Sequence, residues 1–130
     1  MANPMTHARS AARKWGGKPE DYYEIHAFMD STTAAFPDNR HRAITHNAWF
    51  ISQVLPRVFG HYITNSDGKE IPVLDIGRQH CTEDHSKSIP TLQDWLSRIP
   101  MEDWMNGLGR APSAANLVHI DQLRGKEYKG

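Results

Sequence analysis

Apolar and polar residues follow two periods along this chain, and the change of period divides it. Between Pro19 and Phe36, the apolar residues Tyr22, Ile25, Met29 and Phe36 fall near one stripe of an amphipathic helix. Pro19 suits the first helical turn, Glu20 and Asp21 complement the positive end of the dipole, and Pro37 ends the run. A second helix is expected over 39–59. Pro37-Asp38-Asn39 supplies its turn and cap, Ile44, Ala48, Ile51, Leu55 and Val58 its apolar stripe, Pro56 a kink and Gly60 its stop. His41, three residues before Ile44, is expected to point inward. His46 falls roughly 140° further round the axis, on a flank with Arg42, Trp49 and Phe50.

The period then shortens to that of strands. His61–Thr64 and Glu70–Leu74 flank Asn65-Ser66-Asp67-Gly68, whose Asp-Gly step supplies the positive φ of a hairpin turn. Pro72 implies an edge position. Asp75 is expected to cap a short helix containing Gln79 to His85, and Thr91 with Asp94 forms a capping box for a helix carrying Leu92, Trp95, Leu96 and Ile99. Met101, Trp104 and Met105 follow, with Gly107 closing their turn, and Asn116–Ile120 are either one short strand or helix or part of a loose tail. The predicted fold is α+β and mainly α: two long antiparallel helices, a β-hairpin and two or three short helices in one small domain over 19–107. Residues 1–18, with Arg9, Arg13, Lys14 and Lys18 and no acid, are expected to form a flexible basic arm, and residues 108–130 a loosely ordered tail.

Composition narrows the function classes. A chain of 130 residues suits one domain. Its 15 basic and 15 acidic residues cancel, leaving no overall charge to recruit nucleic acid or an anionic membrane. Nucleic-acid contact would be confined to the basic arm, with Trp15 as a stacking platform, and a solvated tail is the stronger expectation there. No apolar run is long enough to span a bilayer, the N-terminus lacks a signal-peptide core, and the single cysteine, Cys81, permits no internal disulfide. A cytoplasmic protein is expected. Trp49, Phe50 and Trp104 are the residues expected at any apolar dimer contact, although oligomeric state is not legible.

The eight histidines carry the chemical interest. His26/Asp30 and His80/Asp84 are both His-x-x-x-acid pairs, which a helix sets one turn apart, so each pair can offer a nitrogen and an oxygen to a divalent ion. With His46 they form a candidate mixed N/O shell, suited to Zn, Mn, Fe or Ni. Glu83 is the candidate general base and Arg42 the candidate anion clamp. His41, Arg40, Arg78 and His85 are candidates for supporting the ligands or binding substrate. The chemistry implied is metal-dependent hydrolysis of a phosphate-containing substrate, such as a nucleotide or phosphoester. Each feature also has an ordinary structural counterpart: an i,i+4 surface pair for His26/Asp30, a satisfied core histidine for His41, solvated side chains for Arg78 and Glu83. No high-specificity metal motif such as H-E-x-x-H is present. The rival expectation is a non-catalytic binding or regulatory protein, such as a phage or mobile-element accessory factor. A third is a pH-responsive histidine network of purely structural purpose.

The successive motifs Arg40-His41-Arg42-Ala43-Ile44-Thr45-His46-Asn47, Ile63 to Gly68, Gln79 to Asp84 and Ile89 to Leu96 resemble a family of short bacterial and phage proteins known as a domain of unknown function. That resemblance covers about residues 22–105 and implies a single domain without assigning an activity. The scattered His and Asp ligands are also similar in type to those of HD-type metal phosphohydrolases, but the chain has no adjacent His-Asp dyad.

Overall fold

The computed structural model describes residues 3–112. Helices α1 (Pro4–Trp15), α2 (Glu20–Asp30) and α5 (Val73–Asp84) pack on one another. Between α2 and α5 come 3-10 turns at Ser31–Ala34 and Asn39–His41, the short α3 (Arg42–Thr45), a π-helical turn at Phe50–Val54 running into α4 (Leu55–Phe59), and the hairpin of β1 (Tyr62–Thr64) and β2 (Glu70–Pro72). Helix α6 (Leu92–Leu96) and a 3-10 turn at Asp103–Asn106 follow. The fold is therefore mainly helical with a two-stranded antiparallel hairpin, in register Ile63 to Ile71.

The first departure from expectation is at the N-terminus. Residues 4–15, within the segment expected to be a flexible arm, form α1, which Asn3 caps by accepting from the Thr6 amide and which Pro4 opens. Its charges Arg9, Arg13 and Lys14 face solvent, while His7, Ala8 and Ala11 are fully buried. Trp15 packs its ring on Tyr22, 5.9 Å between centroids, so it is part of the core margin and not a free stacking platform. The expected element at Asn116–Ile120 and the expected tail beyond residue 112 lie outside the described residues.

The second departure is the expected helix over 39–59, which is broken at His46–Asn47. His46 leaves the helical region with φ -93° and ψ 62°. The buried Asn47 side chain explains the break: Nδ2 donates to the carbonyls of Ala43 and Ile44, closing the first segment, while Oδ1 accepts from the Phe50 amide, starting the second. Because the axis changes there, the expected stripe is not one face. Ile51 and Leu55 are buried, whereas Ile44 and Val58 are about half exposed, at 51% and 52%. Likewise His46 and Phe50 are buried and Trp49 is exposed. Helix α2 also ends at Asp30, earlier than expected, passing into a 3-10 turn. The picture of two long antiparallel helices is thus replaced by three packed helices and several short turns.

Helix α5 approaches the π-helical turn closely because Gly77 faces it: a Cβ there would lie 2.5 Å from Leu55 Cδ1 and 3.0 Å from Ile51 Cγ2. The helix starts at Val73 with Asp75 in its first turn, two residues before the cap expected at Asp75. The capping box of Thr91 and Asp94 forms as expected at the start of α6. Among the described residues no helix is long and apolar enough to cross a membrane.

Candidate metal centre

The three packed helices each bring imidazole or carboxylate groups to their common interior. His7 comes from α1, His26 and Asp30 from α2, His80 and Asp84 from α5, and His46 from the kink after α3. All four of these histidines are fully buried. The helical spacing expected for His80 and Asp84 brings His80 Nε2 to 3.3 Å from Asp84 Oδ2. His80 Nε2 is also 3.1 Å from Asp30 Oδ1, and His46 Nε2 is 3.6 Å from Asp30 Oδ1 and 3.9 Å from Asp84 Oδ2. One ligand atom from each of Asp30, His46, His80 and Asp84 lies within 4.8 Å of the others.

These separations suit a common ion. A tetrahedral site with bonds of about 2.0–2.2 Å sets its ligand atoms about 3.3–3.6 Å apart, and the four measured edges run from 3.1 to 3.9 Å. His46 Nε2 and Asp84 Oδ2 are moreover buried without any hydrogen-bond partner, an arrangement that costs free energy unless something binds them. The donor set, two imidazoles and two carboxylates, is one that Zn, Mn, Fe or Ni accepts.

The remaining groups hold this set in place. His85 Nε2 lies 3.3 Å from His46 Nδ1 and can accept its proton, which leaves His46 Nε2 bare. His26 Nδ1 and His80 Nδ1 are 2.9 Å apart, so one proton lies between them. When His80 Nε2 offers its lone pair to an ion, that proton belongs to His80 Nδ1, and His26 accepts it. His26, expected as a ligand, is in place to orient His80, and with His7 and His80 it also forms a second group of buried imidazoles, with one ligand atom of each within 4.8 Å of the others. It does not bond Asp30, its expected partner. His41 is also outside the set: its Nδ1 meets Thr32 Oγ1 at 2.8 Å, and its ring is 6.3 Å from that of His46.

Burial and pairing divide the ionisation. Burial pushes His26 down to about 2 and His46 down to about 4. Burial also opposes charge on His80, but its hydrogen bond to Asp30 and the nearby Asp84 carboxylate overcome it and raise its pKa. Burial would raise both of those aspartates; their imidazole partners outweigh it and hold them below the ordinary carboxylate range. Burial pushes the Cys81 thiol up to about 12, so the neighbour of His80 is inert as a nucleophile.

Glu83 occupies a different place from the one expected of a base on the ligand cluster. It accepts from Ser10 Oγ at 2.5 Å and from Gln79 Nε2 at 3.1 Å, and meets His7 Nδ1 at 2.6 Å. It thereby ties α5 to α1. Arg42 does reach the cluster, with Nη2 3.8 Å from Asp84 Oδ2. Arg42 and His85 also line a cleft of about 620 Å³ with Asp38, Asn39, Arg40 and Trp95. Arg40 pairs there with Asp38 at 2.7 Å and stacks over Phe36. Arg78 is on another surface, in a pocket with Lys14, Trp15 and Asp75, away from the cluster.

His7 falls in the segment expected to be a flexible arm, where no role in the cluster is expected of it. The signals were present: Asn3-Pro4 is a helix start, Gly16-Gly17 a stop, and Met5, Ala8, Ala12 and Trp15 follow the helical period.

Together these features define a small helical domain enclosing a His/Asp cluster of metal-ligand type. The chain belongs to the family described as Domain of unknown function (DUF6915), whose model matches residues 2–105. The match includes α1 and every residue of the cluster. No curated protein and no solved structure matches the chain.

Proposed function

We propose that this domain is a metal-dependent hydrolase acting on a phosphate-containing substrate such as a nucleotide or phosphoester. The observation that carries the reading is the convergence of Asp30, His46, His80 and Asp84 around unpartnered nitrogen and oxygen atoms, beside a cleft carrying Arg40 and Arg42. A divalent ion there that took a water as a fifth ligand would supply a nucleophilic hydroxide at neutral pH and polarise a phosphoryl oxygen. The chain's own residues have separable tasks. Asp30, His46, His80 and Asp84 would hold the ion, His26 and His85 fix ring tautomers, and Arg42, with Nε unpartnered and buried, receives an anionic oxygen.

The test is metal analysis of untagged protein followed by hydrolysis assays on nucleotides and aryl phosphates, with and without a chelator. Stoichiometric transition metal and chelator-sensitive phosphate release support the proposal. Metal-free protein with no activity after reconstitution removes it.

One observation favours a second reading. The Asp84 side chain is 3% exposed and the His46 and His80 side chains 0%, more enclosed than an open catalytic ion requires. An ion held there would clamp α2, α5 and the kink after α3 for a non-catalytic binding or regulatory role. Metal bound in full stoichiometry but without turnover on any phosphate ester would select it.

A further inference from the structure

Resting on the metal reading above, we propose that the centre takes a second divalent ion, held by His7 Nε2 and by Asp84 Oδ1, with the Asp84 carboxylate bridging the two ions.

The argument starts from proton placement on His7. Glu83, an acceptor when ionised, faces His7 Nδ1 at 2.6 Å, so that nitrogen carries the proton. Glu83 is itself held by Ser10 and Gln79, and Gln79 Nε2 also donates to the His7 carbonyl at 3.0 Å, so both the backbone and the ring of His7 are fixed. In the neutral ring the Nε2 lone pair is then free. It is buried, has no hydrogen-bond partner, and points to within 3.2 Å of Asp84 Oδ1. A ring nitrogen facing a carboxylate oxygen is stable only with a proton or a metal cation between them, and a divalent ion at this place would satisfy both atoms.

Asp84 divides its two oxygens accordingly. Oδ2 faces His80 Nε2, His46 Nε2 and Arg42 Nη2, while Oδ1 faces His7 Nε2 alone among these. A carboxylate with imidazole nitrogen on each side is the arrangement that bridges ions about 3.5–4 Å apart. The pairing of Glu83, His7 and ion repeats the way metal-bound histidines are oriented by an outer carboxylate. The second ion has only two protein ligands, so it binds more weakly than the first and leaves positions for water or an anionic substrate, as hard ions such as Mg and Mn do.

The experiment is a titration of metal-stripped protein with Mn2+ alone, followed by electron paramagnetic resonance. The wild-type chain is expected to bind two Mn2+, the second at least tenfold more weakly, with a spin-coupled signal at saturation. His7→Ala should bind one, uncoupled. Should His7→Ala fail to fold, Glu83→Gln serves instead: it keeps the His7 ring and should weaken only the second ion, by about tenfold or more. One uncoupled Mn2+ in the wild type, or two retained in His7→Ala, overturns this proposal and leaves the four-residue centre standing. No Mn2+ bound by the wild type overturns both.

Discussion

Two polar networks lie at opposite ends of α2, one at the surface and anchored on the buried Asn65 and Tyr22, the other enclosed, and they are satisfied in opposite ways. At its N-terminal end the hairpin turn docks on the α1–α2 junction. Asn65 Oδ1 accepts from the Asp67 and Lys69 amides, and its Nδ2 donates to the Trp15 carbonyl and Tyr22 hydroxyl, which donates onward to the Gly16 carbonyl. Asp21 takes the amides of Lys18 and Ser66, and Asp67 that of Gly17. At the other end, six buried atoms lack a partner, on His7, His26, Arg42, His46, Gln79 and Asp84, all in or around the histidine cluster. The first network closes on backbone groups and needs nothing further. The second is left incomplete at ligand-type atoms, and buried polar groups left so are costly unless they serve binding or catalysis. The contrast separates a structural polar cluster from a functional one within a single small domain.

The largest effect that would sharpen this contrast is removal of the ion. At a metal concentration 1,000 times the dissociation constant, binding adds about 4 kcal/mol of stability. Thermal unfolding of metal-loaded protein should therefore shift down by many degrees on chelation. Asp84→Asn, which spares the hairpin junction, should abolish the difference between loaded and chelated samples. An identical melting temperature with and without chelator in the wild type would erase the distinction.

Asn65→Ala should do the reverse. It removes the partner of the Asp67 and Lys69 amides and of the Trp15 carbonyl, a loss of about 2–3 kcal/mol, with metal stoichiometry unchanged. Denaturant unfolding and metal analysis of the same preparation check both halves.

Acid should act on the cluster before the junction. In metal-stripped protein, His26 and His46 titrate at about 2 and about 4 in the fold, against about 6.5 in the unfolded chain. Their contribution to stability is therefore complete above 6.5 and is lost as pH falls toward 4 and below. His80, with a raised folded value, contributes in the opposite sense, fully below 6.5 and less as pH rises through that value. Two groups outweigh one, so the melting temperature should fall between pH 7 and 4.5. A flat or rising profile would count against the buried neutral rings. With metal present, proton competition at His80 should also make affinity rise with pH.

The smallest expected effect concerns how α5 is brought to the centre. Gly77→Ala places a methyl against Leu55 and Ile51, which should cost about 1–3 kcal/mol and lower the melting temperature of both loaded and chelated protein equally. A selective loss of metal would show that the helix position tunes the cluster directly.

The sequence carried some of this arrangement openly. Helical spacing put His80 and Asp84 on one face, the Asp-Gly turn marked the hairpin, and Thr91 with Asp94 marked the start of α6, because these signals are local. The remaining features depend on contacts made at a distance. Asn47 interrupts an otherwise continuous helical pattern by using both ends of its amide on the backbone, and only that kink turns His46 from a flank into the interior. Glu83 has no sequence mark that would direct it toward His7, 76 residues away. Residues 4–15 have a proper cap, a stop and an apolar period, yet their basic charges dominated an expectation of a free arm, although those charges occupy only the solvent face. Arg78 shares a helix with the cluster but lies on its outer side, where local charge gave no warning.

The centre itself is tested most directly by X-ray absorption on protein loaded with one equivalent of zinc. The account predicts a shell of nitrogen and oxygen atoms at about 2.0–2.1 Å with outer-shell scattering from two imidazoles, both lost in a His46→Ala and His80→Ala double variant. A shell of oxygen alone, or one unchanged in that variant, would contradict it.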